Sequence, residues 1–192
     1  MLDLEPATRI LQRTADGIAD ERLGATTPCD VSVEKLLAHV LGLSVAFREA
    51  ARKVSGPSTD AAPSLADGVL PPDWRAQLPV VLDELARAWR EPGAWEGMTR
   101  AGGLDLPAQV AGVVATNELV LHGWDLAAAT GQRYEPDPAS LGASWQMVSG
   151  TPDDPAARQG LFGPVVPVPA DAPLLDRVLG GAGRDPLWSP PA

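Results

Sequence analysis

LPAQVAGVVATNELVLHGWDLAAAT, residues 106–130, decides the fold. It is the longest and most apolar segment of the chain, and its formal charges are Glu118 and Asp125. Gly131 follows it, the residue that most readily takes the left-handed turn closing a helix. A helix apolar on nearly all sides belongs at the centre of a helical protein, with other helices around it. One face reads Ala111, Val114, Ala115, Glu118, His122, Asp125, Ala129, so small apolar residues flank three polar groups in a row. Glu118 and His122 are four apart, which puts their Cβ atoms roughly 5–6 Å from each other.

The surrounding segments supply the partners. Leu4–Leu23 spaces Leu4, Ile10, Leu11, Ile18 and Leu23 among charges, the pattern of an amphipathic helix. Gly24–Asp30 is a turn cluster. Ser32 then stands as N-cap to a second helix over Val33–Val54, with Leu36, Leu37, Val40, Leu43 and Phe47 on its apolar stripe. Pro71–Arg90 predicts a third helix, in which Pro79 implies a kink or a later start. Pro138–Gly150 predicts another, and Leu174–Leu179 a short terminal one. Ser55–Val69 and Glu91–Asp105 have loop composition, and no stretch shows strand alternation. After Thr151 the chain is proline-rich, and FGPVVPVPADAP, 162–173, is expected to lie extended across the body. The expected class is all-α: a bundle of four main helices with an extended Pro-rich tail over 151–192, forming a single domain over 1–192.

Composition narrows the function classes. The chain has 192 residues, 45% hydrophobic and 21% charged, enough apolar material for a sizeable core. The formal net charge of -10 denies it the positive field that nucleic acid or an anionic membrane attracts. A single cysteine, Cys29, excludes an intrachain disulfide and any site built on several cysteines. The acidic start MLDLEPATRI does not read as a signal peptide, and the longest stretches free of formal charge are too short for a membrane span, which needs about 20 residues. The expected setting is cytoplasmic, and dimerisation is left open.

The chemistry gathers on the two histidines. His39 has Leu36 and Leu43 on its own helical face, so it too is expected to turn inward. A buried carboxylate such as Glu118 needs compensation, from a metal ion, an arginine or a hydrogen-bond network. Two inward histidines and one inward glutamate match a 2-His-1-carboxylate set, which leaves positions open for water or substrate. The plainer alternatives are a hydrogen-bonded core histidine and a Glu118–His122 ion pair. Asp125, three residues past His122, either orients the imidazole of a ligand or binds an arginine of a neighbouring helix. Cys29 is read as a small buried side chain, or as a thiol acidified by the helix that follows. Trp89, Trp124 and Trp145 are expected in the core. No Ser-His-Asp arrangement is evident, and AGG at 101–103 lacks the spacing of a phosphate loop.

TPCD at 27–30, LLAHVLG at 36–42, NELVLHGWDLAAATG at 117–131 and FGPVVPVPADAPLLDRVLGGAGRDP at 162–186 together resemble a known family. It is the actinobacterial metal-binding group related to the N-terminal domain of mycothiol-dependent maleylpyruvate isomerase, within the DinB-like superfamily. The resemblance implies a DinB-like four-helix bundle with a long crossover. It also implies a divalent metal held by the positions here numbered His39, Glu118 and His122, with zinc foremost and nickel, iron or manganese also suited. Mycothiol is the implied cosubstrate, and a small electrophile its partner in a transferase or isomerase-like reaction. Two departures stand out. CDVSVEKLLAH is shorter between its cysteine and histidine than the family pattern and lacks an aromatic there. The tail also reads as a different kind of segment from the isomerase's C-terminal domain. A non-catalytic module that binds metal or a small ligand is the alternative function, and a structural protein without metal a third.

Overall fold

The computed structural model describes residues 1–62, 64–65 and 67–190. Two positions of the expected 55–69 loop and the last two of the tail fall outside these. In chain order the elements are α1 (Glu5–Asp16), α2 (Val33–Ala51), the single turn α3 (Pro57–Asp60), α4 (Trp74–Arg90), the strands β1 (Met98–Ala101) and β2 (Leu104–Pro107), α5 (Ala108–Thr130), α6 (Pro138–Gly150), the single turn α7 (Pro155–Arg158) and α8 (Leu174–Gly181). Short 3-10 turns occupy Asp20–Arg22 and Pro92–Trp95.

α5 is the axis, as its composition requires. α1 packs on α4 and α5, α2 packs on the same two, and α6 lies on the other side of α5 with α8 against it. One apolar core fills the space between α1, α2, α4 and α5, with Leu11, Leu36, Leu82, Leu85, Trp89 and Leu126 fully enclosed. A second, smaller core joins α5 to α6 and α8 through Leu121, Trp124, Val148, Val178 and Leu179. Trp89 and Trp124 are buried, whereas Trp145 is half-buried and carries the guanidinium of Arg177 on its face, 4.3 Å from the ring centre.

Helix ends follow local chemistry. Ser32 caps α2 as expected, its hydroxyl accepting from Lys35 N–H at 3.3 Å. α1 stops at Asp16, well short of Leu23, because the chain turns at Gly17, whose backbone lies against the Gln132 side chain. α2 ends at Ala51 rather than Val54: Lys53 takes a positive φ of 60° and donates from Nζ to the carbonyls of Ala94 and Glu96. α4 starts at Trp74, later than Pro71, and Pro79 sits inside it without ending it. Gly131 closes α5 in the left-handed conformation, φ 72°.

The expectation of no β-structure is corrected. β1 and β2 form an antiparallel hairpin with Ala101 paired to Leu104, and Gly102 and Gly103 make the turn between them at φ 59° and 78°. Two positive φ values in a two-residue connection are what a hairpin demands, and Gly-Gly supplies them at no steric cost. The hairpin is anchored on the helices: the Thr99 hydroxyl donates to the Ala50 carbonyl, and Gly103 N–H to the Thr59 carbonyl. The molecule is therefore mostly helical with a small sheet. In the tail, 162–173 carries neither helix nor strand. Val166 N–H donates to the Gly180 carbonyl at 2.9 Å, and the buried Arg158 guanidinium donates to the carbonyls of Gly163 and Gly181. Among the described residues, no helix is long and apolar enough to cross a membrane.

Gly112 shows how closely α5 is packed. A Cβ there would stand 2.5 and 2.6 Å from the Trp95 ring and 3.0 Å from that of Trp89. Both indoles are pinned, Trp95 Nε1 donating to Trp89 O and Trp89 Nε1 to Phe47 O. Gly112→Ala is expected to lower stability by about 1–3 kcal/mol, read as an earlier urea midpoint with a changed near-UV tryptophan signal. A midpoint equal to wild type would mean that the indoles yield freely.

Candidate functional site

α5 carries three polar groups on one side, and α2 brings a fourth to meet them. His122 Nε2 lies 3.0 Å from Glu118 Oε2, one helical turn back on α5. His122 Nδ1–H donates to Asp125 Oδ2 at 3.0 Å. The His39 ring meets that of His122 edge to face, with centroids 5.1 Å apart and planes at 87°. His39 Nδ1–H donates to the Ser64 carbonyl at 3.0 Å, so the loop between α3 and α4 fixes this ring. Both imidazoles thus use Nδ1 as a donor to an oxygen. When neutral, each leaves Nε2 as the free electron pair.

His39, Glu118 and His122 each place a ligand atom within 4.8 Å of the others. That is close to the span one ion bridges with bonds of about 2.0–2.2 Å. Two imidazole nitrogens and one carboxylate oxygen suit zinc and several other divalent ions. The donor set therefore fits a divalent metal. His122 is 4% exposed and the Glu118 side chain 26%, whereas His39 is half-buried rather than fully interior. The site therefore opens on the side of His39 and Glu118.

Asp125 is wholly buried and meets both of its expected partners at once. Besides the His122 ring it accepts from Arg184 Nη2 at 3.0 Å and from the Cys29 thiol at 3.0 Å. The arginine comes from the segment after α8 and not from a neighbouring helix. Arg184 N–H donates to Leu179 O as the chain leaves α8, which aims the side chain at α5. Burial pushes the Asp125 carboxyl up, but the Arg184 charge and the His122 hydrogen bond outweigh it and hold it down at about 2. Burial disfavours charge on His122, yet its bonds to Asp125, Cys29 and Glu118 raise the imidazole pKa well above the ordinary value. Burial likewise opposes the Glu118 carboxylate, and the paired His122 reverses the sign, leaving it lower than usual.

Cys29 corrects one alternative. Its pKa is raised, chiefly by burial, so the thiol is not acidified by the helix that follows. It is half-buried, with Arg184 Nη2 3.5 Å from Sγ, and belongs to the polar cluster rather than to the apolar core. Arg184 and Cys29 are the site residues that motif spacing did not select. A charge balance points to the arginine: Asp125 needs a buried cation, and the tail holds few. The TPCD block at 27–30 marks Cys29 locally, without pointing to its partners. AGG at 101–103 proves to be the hairpin turn.

Residues 4–127 match the family model of the mycothiol maleylpyruvate isomerase N-terminal domain. The chain belongs to this family. Two curated relatives are "Uncharacterized protein Rv0738" of Mycobacterium tuberculosis (strain ATCC 25618 / H37Rv) and "Uncharacterized protein MT0763" of strain CDC 1551 / Oshkosh. Each is 28% identical over 169 residues, 85% of this chain and 86% of the relative. Among solved structures, a histidine-to-alanine mutant of mycothiol-dependent maleylpyruvate isomerase matches with a TM-score of 0.66 at 18% identity, over 95% of this chain and 88% of that one. The same isomerase without that mutation matches with a TM-score of 0.62 at 19% identity over the same shares. At these identities the likeness establishes the fold. It spans 95% of this chain, more than the stretch 4–127 that the family model matches.

Proposed function

We propose that this protein is a metal-dependent thiol transferase or isomerase-like enzyme that joins mycothiol to a small electrophile. The observation that carries the reading is the meeting of His39, Glu118 and His122, from helices far apart in sequence, in one half-open polar site. We read α1, α2, α4 and α5 as a DinB-like bundle, with the tail packed on it in a single domain over 1–192. His39, Glu118 and His122 would hold a divalent ion, zinc foremost. Such an ion, when bound, supplies a Lewis acid that favours the thiolate form of a thiol at neutral pH.

The chain's own residues prepare that chemistry. Asp125 keeps the Nδ1 proton of His122 and so directs Nε2 toward Glu118. The Ser64 carbonyl does the same for His39. Arg184 neutralises Asp125, which would otherwise be a buried unpaired charge. The leucines and Phe47 beside the site keep water from the reacting groups.

Cobalt-substituted protein tests the reading. Added mycothiol should shift the metal spectrum, and turnover with a panel of electrophiles should vanish in a folded His122→Ala variant. A fully loaded protein whose spectrum ignores the thiol would sink it. One observation favours a second reading, a binding module without turnover. The titratable side chains lining the cleft at this site are the ligands themselves, Glu118 and His122. Thiol binding without turnover of any electrophile would decide for that module.

A further inference from the structure

The exposed flank of His39 carries two residues that the fold alone does not explain. Lys35 stands one turn before His39 on α2 and is exposed. Gly42 stands less than a turn after it, also exposed, and a Cβ there would meet nothing within 4 Å. Leu36, beside Lys35 in the same turn, is fully buried, so His39 sits on the line where α2 passes from core to surface. Side chains on a helix lean toward its N-terminus, so the His39 ring lies over the turn that carries Lys35. Residues at this spacing have Cβ atoms roughly 5–6 Å apart.

Lys35 breaks two local rules. It is the residue whose backbone N–H meets the Ser32 cap, the position from which a glutamate or glutamine would reach back to the cap. A cation there also opposes the helix dipole, which favours negative charge in the first turn. Among the described residues no carboxylate pairs with Lys35 to offset this. Glu34, its neighbour in sequence, stands about 100° round the helix and further from His39. The other lysine of the chain, Lys53, is tied to the carbonyls of Ala94 and Glu96. Arg184 is taken up by Asp125, and Arg48 by Glu49 and Glu84. Lys35 is thus an uncommitted cation beside the site, in a chain of formal charge -10. Residues that break local rules without a structural return gather at functional positions.

The charge around the site says what Lys35 meets. A divalent ion on two neutral imidazoles and Glu118 keeps one positive charge, and Asp125 cancels Arg184. Lys35 extends this positive field from the ion onto the surface of α2. We propose that Lys35 is a specificity-determining residue of the metal site: its ammonium receives a carboxylate of the electrophile whose other end meets the open position of the ion. The inference rests on the transferase reading above and gives its electrophile a charge. Such a ligand lies on the exposed flank of α2, which Gly42 keeps clear, and enters no part of the packed core. Its carboxylate stays at the surface, so the pairing is modest in strength and sensitive to salt.

Succinate and butyrate test this, because they share a carbon skeleton and one carboxylate for the ion and differ in the second carboxylate. Cobalt-loaded protein is titrated with each, and the metal spectrum reports the dissociation constant. Lys35→Gln should lower the preference for succinate about fivefold with butyrate binding unchanged. Lys35→Arg should keep the preference, and added salt should shrink it in the wild type. With Lys53 as the one other lysine, the Cε signals are readily assigned by NMR. Succinate should move the Lys35 signal of the loaded protein, and butyrate should leave it in place. The same preference in wild type and Lys35→Gln overturns the inference while leaving the transferase reading intact. A loaded protein that binds neither acid also overturns it. A protein that takes up no cobalt removes the transferase reading and this inference with it.

Discussion

Replacing Asp125 with alanine should cost the fold about 3–5 kcal/mol. The side chain is wholly buried and accepts from Arg184, Cys29 and His122 at once. Its loss strands the guanidinium of Arg184, itself 12% exposed at the side chain, without a counter-charge in a region water hardly reaches. Urea unfolding should show the drop as an earlier midpoint at unchanged slope. The double variant Asp125→Ala with Arg184→Met should recover much of the loss, because both charges then leave together. A single-variant loss below about 1 kcal/mol would mean that the pair is solvated. The pH dependence has a definite sign. With the native carboxyl held at about 2 against an ordinary 3.8, the pair's contribution is complete above pH 3.8 and fades as pH falls through 2. Asp125→Asn should flatten that acid limb.

Zinc affinity should climb with pH, by up to about tenfold per unit while His122 keeps its proton, and a chelator competition across a pH series reads it. The reason is the proton on His122. Burial opposes that proton, but the bonds to Asp125, Cys29 and Glu118 more than compensate, so it persists above the usual range. A ligand must surrender it from Nε2, and below the raised pKa each metal ion competes with a proton. Nδ1 stays protonated throughout, because Asp125 accepts from it. Asp125→Asn should therefore weaken the metal about 10–100-fold, with the three ligands untouched. An affinity indifferent to pH would place the proton elsewhere and take His122 out of the ligand set.

Much of this architecture is legible in the linear chain, for identifiable reasons. α6 and the end of α5 sit where proline, glycine and apolar periodicity put them, because those residues act within a turn or two of themselves. His39, Glu118 and His122 announce themselves as polar groups on apolar helical faces, and packing such faces inward brings them together. Whether they hold metal is a separate question, which spacing does not answer. The hairpin escapes notice because strands of four residues are too short to show alternation, although Gly102-Gly103 is a fair turn signal in hindsight. Arg184 and Cys29 escape for a different reason. Their contact spans 155 residues, and no local pattern encodes a partner at that distance. The Ser64 carbonyl is a backbone group, so its role in fixing His39 has no side-chain signature.

The bond between Arg184 and Asp125 also bears on biosynthesis. A nascent chain that has emerged only as far as α6 already holds every candidate metal ligand, yet Asp125 is still without its guanidinium. The centre can reach its final electrostatic state only once residue 184 has left the ribosome. Translation that stalls before codon 184 would thus release a body with a complete ligand set and an unbalanced interior charge, a natural substrate for the proteases that clear unfinished chains.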